Sequence, residues 1–346
     1  MAIVSSALNA AARRCLFGVM LVMMGCASGT PGSDTPRDGM TRGAMGDDGA
    51  LSEVDASASN DAPSDAAPED VSSEPSNDAM LDAPAHPSDA APEVSAQPIA
   101  PPAKSSKIGG AIWAFSGASR ALADLHPSFF YTWSPTNAYI TAPANVPFVP
   151  MIWGAKNMNA TDLSGAQAAG TTLLGFNEPD VGGQSNLTVQ QALAYWPQLE
   201  ATGQRLGSPA PGGAGAPTKP SNWLVQFMAG AASAGYRVDF VCLHWYTDSS
   251  DPVASTAALK IFLENSYATF GKPIWLTEYA MLSWDGAPPA NAQEEAAFAS
   301  KSTAMMDTLP FVEKYSWYAM SPQGAYSLYN EDGTETEVGM AYKSGP

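Results

Sequence analysis

Basic residues are scarce in this 346-residue chain: 16 Lys and Arg stand against 34 Asp and Glu, for a formal charge of −18. With no basic stripe anywhere, that balance argues against nucleic acid as a partner. Cysteine is nearly absent too. Cys15 and Cys26 fall in the N-terminal segment, and the rest of the chain holds only Cys242, too few for a disulfide framework. Cys242 sits in an apolar run and reads as a small core filler. Histidine is rare, and the acids Asp180, Asp239, Asp248, Glu331 and Asp332 lack the His/Asp clustering of a metal site. Gly109–Gly110 does not supply the glycine-rich first turn of a dinucleotide fold. The one strongly apolar N-terminal run, residues 15–24, is too short for a permanent membrane span.

That run follows Arg13 and Arg14 and precedes Gly25, Cys26, Ala27 and Ser28, so residues 1–26 read as an export signal. The position of Cys26 resembles the lipidation site of a bacterial lipoprotein, with an ordinary cleaved signal as the alternative. Residues 27–107 form an acidic Ala/Pro/Asp/Ser-rich segment without a single Phe, Trp or Tyr. A segment so poor in apolar groups cannot build a core and is expected to be a disordered linker. With a lipid on Cys26 it would tether the protein to a membrane; without one, the protein is secreted.

From residue 108 to 346 the texture changes to eight short apolar runs: 108–115, 129–133, 148–153, 172–176, 205–208, 238–245, 273–279 and 314–320. Several are continuously apolar, as parallel strands buried on both faces require. Segments 188–199, 222–234 and 294–309 carry helical apolar spacing, with Val189, Ala192, Leu193 and Trp196 forming one stripe. Alternation of this kind, eight times over, predicts one α/β domain, a (β/α)8 TIM barrel. It is expected to be monomeric.

Many runs end in an aromatic or polar residue: Trp113, Trp133, Trp153, Asn177–Glu178, His244–Trp245–Tyr246, Glu278 and Trp317. Strand C-termini line the working face of a barrel, and indole rings stack on the C–H faces of sugars. Glu178 follows the fourth run and Glu278 closes the seventh. Runs four and seven lie across a barrel mouth from one another, so the two carboxylates can face a common substrate. A wall of apolar residues beside such a pair can keep one acid protonated while the other is ionised, which glycosidic cleavage needs.

The wording around these residues is specific. Leu174–Gly175–Phe176–Asn177–Glu178–Pro179–Asp180, Leu206–Gly207–Ser208–Pro209–Ala210, Leu243–His244–Trp245–Tyr246 and Trp275–Leu276–Thr277–Glu278–Tyr279 resemble glycoside hydrolase family 128. These are clan A retaining enzymes, related to the fungal alkali-sensitive-linkage cell-wall protein, that typically act on β-1,3-glucan. The resemblance implies Glu178 as general acid/base, Glu278 as nucleophile, and Asn177 on the sugar 2-hydroxyl. It implies His244 or Tyr246 as the group that orients the nucleophile, Trp245 beside them, and Trp317 as the sugar floor. Trp113, Trp133 and Trp153 would flank the cleft. Neither metal nor other cofactor is required, and the partner is a β-glucan chain. A non-catalytic polysaccharide-binding lipoprotein, or a β-glucanase or transglycosylase of other linkage, is the alternative.

Overall fold

The structure, a computed structural model, describes residues 104–137, 139–213, 217–283 and 290–345. The signal segment, Cys26 and the linker up to residue 103 lie outside the described residues. Among the described residues seven parallel strands are formed: β1 (Ile108–Ala111), β2 (Phe129–Tyr131), β3 (Thr172–Leu173), β4 (Arg205–Leu206), β5 (Val241–Tyr246), β6 (Ile274–Ala280) and β7 (Val312–Trp317). One sheet has the order β2-β1-β7-β6-β5, and a second pairs β3 with β4. Isolated parallel bridges Phe130↔Phe148, Met151↔Leu174 and Gly207↔Phe240 join them. Pairings therefore run in a ring through all eight apolar runs, and the fold is α/β with a TIM-like barrel of parallel strands.

The third run, residues 148–153, makes only bridges because of proline. Pro147 and Pro150 have no N–H to donate, so the segment bonds through alternate groups such as Val149 N to Phe130 O and Leu174 N to Pro150 O. Close strand approach elsewhere depends on glycine. A Cβ on Gly207 would stand 2.5 Å from the Phe240 ring.

Side chains alternate across the strands. Phe129 and Tyr131, Val149 and Met151, Phe240 and Cys242, with Trp275, fill the barrel interior as one buried cluster. The outward residues, including Leu243, Trp245, Leu276, Tyr279, Tyr315 and Trp317, pack against the helices as a second cluster. Burial drives the Cys242 thiol pKa far up, in keeping with a core filler.

The helices α1 (Ala118–Leu125), α2 (Ala160–Ala169), α3 (Val189–Glu200), α4 (Trp223–Ala234), α5 (Pro252–Phe270), α6 (Ala292–Asp307) and α7 (Glu337–Ser344) flank the strands. The expected stripe of α3 buries Ala192 and Trp196, and Thr188 with Gln191 closes its first turn as a capping box. A second capping box, Asn291 with Glu294, opens α6. Among the described residues, no helix is long and apolar enough to cross a membrane. The packed body begins slightly ahead of residue 108: Lys107 Nζ donates to the carbonyls of Met306, Asp307 and Leu309 at the end of α6.

Candidate active site

Glu278 stands near the C-terminal end of β6, opposite His244 on β5, and a β-bulge sets that register. Leu243 pairs with Leu276, but His244 pairs with Glu278, so Thr277 is the extra residue. The bulge turns Glu278 to the interior face that His244 already occupies. Tyr131 braces it by donating its hydroxyl to Thr277 O at 2.7 Å. β5 continues to Tyr246, so His244 and Tyr246 share one face and both reach the carboxylates.

Glu278 is 4 % exposed and surrounded by donors. Tyr246 gives its hydroxyl to Oε2 at 2.5 Å, and Trp133 gives its indole N–H to Oε1 at 2.7 Å. His244 Nε2 lies 3.4 Å from Oε1. Burial raises the pKa of Glu278, and the Glu178 charge adds to that; His244, Tyr246 and Trp133 counter it, and the net direction is upward.

Glu178 sits just beyond β3 with a positive φ of 42°, a left-handed backbone that costs a non-glycine residue about 1–3 kcal/mol. Its surroundings enforce it. Glu178 N donates to Ala210 O at 2.8 Å, and the loop after β4 passes behind its side chain without a Cβ at Gly212. Asp180 pins that loop by accepting the Gly212 and Gly213 N–H groups at 2.8 and 3.0 Å.

His244 Nδ1 meets Glu178 Oε1 at 3.0 Å, so one imidazole touches both carboxylates. Burial opposes its charging, but the two glutamates outweigh that and its pKa rises. Glu178, His244 and Glu278 each offer a ligand atom within 4.8 Å of the others. A cation could fit that spacing, although the His244 contacts already engage the same atoms. Carboxylate oxygens this close are of the order that retaining glycosidases use on one anomeric carbon, where the two groups stand about 5–5.5 Å apart. Glu178 is the more exposed of the two. Asn177 is buried; its Nδ2 donates to Gln184 Oε1 at 3.4 Å, while Oδ1 has no partner among the described residues.

Two expectations fail. Trp317 is 0 % exposed, points outward from β7, and donates its indole N–H to Tyr326 O. It packs on Tyr279 and Phe298 at 5.0 and 5.7 Å between ring centroids, so it is core and not a sugar floor. Trp245 also faces outward, 5.8 Å from Phe298, because its neighbours His244 and Tyr246 hold the inner face. The residue after Trp317 takes the vacated part. The Tyr318 ring lies 5.7 Å from Tyr246 and 6.0 Å from both Trp113 and Trp133. Trp113 and Trp133 rim the site together, 5.5 Å apart. Trp153 is half-buried against the interior cluster with Lys156 Nζ 4.2 Å from its ring. Sequence reasoning missed Tyr318, Tyr131, Asp180 and Gly212. Strand parity was the available signal for Tyr318 and Tyr131; Asp180 and Gly212 depend on loop shape.

A glutamate pair closing on one point at the mouth of a parallel barrel, walled by indole and phenol rings, defines a glycoside hydrolase. The chain belongs to the family described as glycosyl hydrolase catalytic core, whose family model matches residues 110–342, and within it to glycoside hydrolase family 128. A subgroup I endo-β-1,3-glucanase of that family from Amycolatopsis mediterranei, in complex with laminarihexaose, is 46% identical with a TM-score of 0.67. The match covers 70% of this chain and 100% of that one. A subgroup II endo-β-1,3-glucanase from Sorangium cellulosum is 30% identical with a TM-score of 0.58, covering 69% and 98%. Alkali-sensitive linkage protein 1 of Schizosaccharomyces pombe is 33% identical over 203 residues, 54% of this chain and 36% of its own length. This chain thus spans about a third of that relative.

Proposed function

We propose that the chain is an exported retaining endo-β-1,3-glucanase, a single (β/α)8 barrel carried on the acidic Ala/Pro/Asp/Ser-rich segment with a lipid on Cys26. The observation that carries the chemistry is the convergence of Glu178 and Glu278 oxygens to within 4.8 Å around one histidine. The 46% identity to an enzyme solved with laminarihexaose supports β-1,3-glucan as substrate and internal cleavage as the mode.

Glu278 attacks the anomeric carbon while Glu178 protonates the departing glycosidic oxygen. Water, deprotonated by Glu178, then releases the sugar with its configuration retained. His244, in contact with both carboxylates, holds them in fixed relative placement across the substrate. The unpartnered Oδ1 of Asn177 supports a contact to the sugar 2-hydroxyl, which strengthens as the oxocarbenium-like state develops. Trp113, Trp133 and Tyr318 stack the sugar rings. Glu278→Gln is expected to abolish release of oligosaccharides from laminarin while leaving binding intact. Wild-type turnover in that variant contradicts the assignment. Mass spectrometry of the mature N-terminus tests the anchor: a peptide starting beyond an unmodified Cys26 refutes it.

A further inference from the structure

Trp133 holds a constrained place in the wall around Glu278. Its φ of 53° lies in the left-handed region, which a bulky residue adopts only when its surroundings over-determine it. Tyr131 meets its ring edge-on at 4.9 Å, with Trp113 and Tyr318 on its other sides. The result of that placement is the 2.7 Å bond from its indole N–H to Glu278 Oε1. Oε2 has a separate donor, the Tyr246 hydroxyl. An indole N–H neither ionises nor accepts, so its bond to Oε1 is available in every protonation state of the site.

We propose that Trp133 is a positioning residue for Glu278: its N–H fixes Oε1 as the spectator oxygen and leaves Oε2 to attack the anomeric carbon. The inference rests on the retaining reading of the glutamate pair. In the first step Oε2 bonds to C1, the bond from C1 to the leaving oxygen breaks, and the proton of Glu178 goes to that oxygen. Tyr246 releases Oε2 as the ester forms, while Oε1 becomes the ester carbonyl oxygen and keeps the Trp133 N–H. In the second step water bonds to C1, its proton goes to Glu178, and the C1–Oε2 electron pair returns to the carboxylate. The charge arriving on Glu278 meets a donor already in place at Oε1. Trp133 therefore lowers the basicity of the carboxylate and speeds its departure in deglycosylation.

Other groups face Glu278: Glu178 beyond β3, His244 and Tyr246 on β5, Tyr131 on β2 and Tyr318 after β7. Tyr131 and Tyr318 pack on the Trp133 ring, so the replacement must keep the ring's shape while removing its N–H. The test is the full chain with 3-benzothienylalanine at position 133, introduced by stop-codon suppression, which keeps the bicyclic ring and exchanges N–H for sulfur. Trp133→Phe is made beside it, and both are checked by thermal melting. For the benzothienyl protein the acid midpoint of kcat/KM on laminari-oligosaccharides moves up by about one pH unit and kcat falls on the order of tenfold. An activated aryl glucoside gives a burst as glycosyl-enzyme accumulates. A wild-type acid midpoint and kcat in that protein overturn the proposal. So does an activity loss in both variants with no shift of the midpoint, which marks a purely structural role. Trapping wild-type protein with a 2-deoxy-2-fluoro glycoside checks the footing separately: absence of label on Glu278 fails the retaining reading itself, whatever the variants do.

Discussion

Gly212 lets the loop after β4 pass close behind Glu178, and Gly212→Ala presses directly on that carboxylate. A Cβ there would stand 2.7 Å from Glu178 Cδ and 2.8 Å from Oε1, whereas ordinary contact begins at 3.4 Å. The carboxylate must retreat by roughly 0.7 Å, and a displacement near 1 Å in a catalytic group costs on the order of 10²-fold. The backbone of Gly212 lies outside the left-handed region, so alanine adds no backbone strain and the melting temperature stays near that of the parent. We expect kcat/KM on laminarin to fall on the order of 10²-fold. A dinitrophenyl laminaribioside, whose leaving group needs no proton, reports the first step without Glu178. On that substrate kcat/KM falls far less, and azide restores the lost turnover. Equal losses on both substrates, or a fully active variant, refute the role of Glu178 as acid/base.

Tyr246→Phe removes the hydroxyl from Glu278 Oε2; kcat falls on the order of 10-fold or more with the fold intact, read by steady-state kinetics beside circular dichroism. His244→Gln takes away the cation that holds Glu278 down, so the pKa of Glu278 climbs further and the acid limb of the pH–rate profile moves to higher pH. An unmoved limb contradicts that. Trp317→Ala is a core deletion expected to cost about 3–5 kcal/mol in denaturant unfolding, while Trp317→Phe keeps a wild-type KM because the indole never meets sugar. Glu295, 1 % exposed on α6, has its pKa pushed up to about 8 by burial. A raised carboxyl favours the protonated fold, so stability is full below the unfolded value of about 4.5 and declines as pH rises through about 8. Glu295→Gln flattens that decline, gaining up to roughly 5 kcal/mol over the parent at pH 9 by urea melts.

Much of this was legible in the residues. The barrel was readable because buried parallel strands are short and continuously apolar, and the glutamates because both close such strands. The register that joins His244 to Glu278 was not, since a bulge at Thr277 leaves no mark in hydropathy. Trp317 misled because a tryptophan at a strand end looks the same whether it faces helices or solvent; only its parity with Tyr315, also outward, separates the two. Gly212 and Asp180 lay beyond sequence reasoning because their partnership exists only once the loop after β4 folds back across the loop after β3.

The most direct measurement is covalent trapping with a 2-deoxy-2-fluoro laminaribioside bearing a dinitrophenyl leaving group, followed by peptide mass spectrometry. The fluorine slows release more than attack, so a retaining enzyme stops as its glycosyl ester. One adduct per chain on Glu278, absent from Glu278→Gln, is the predicted result. An adduct on another side chain, or turnover to the inverted sugar with no adduct at all, contradicts the account.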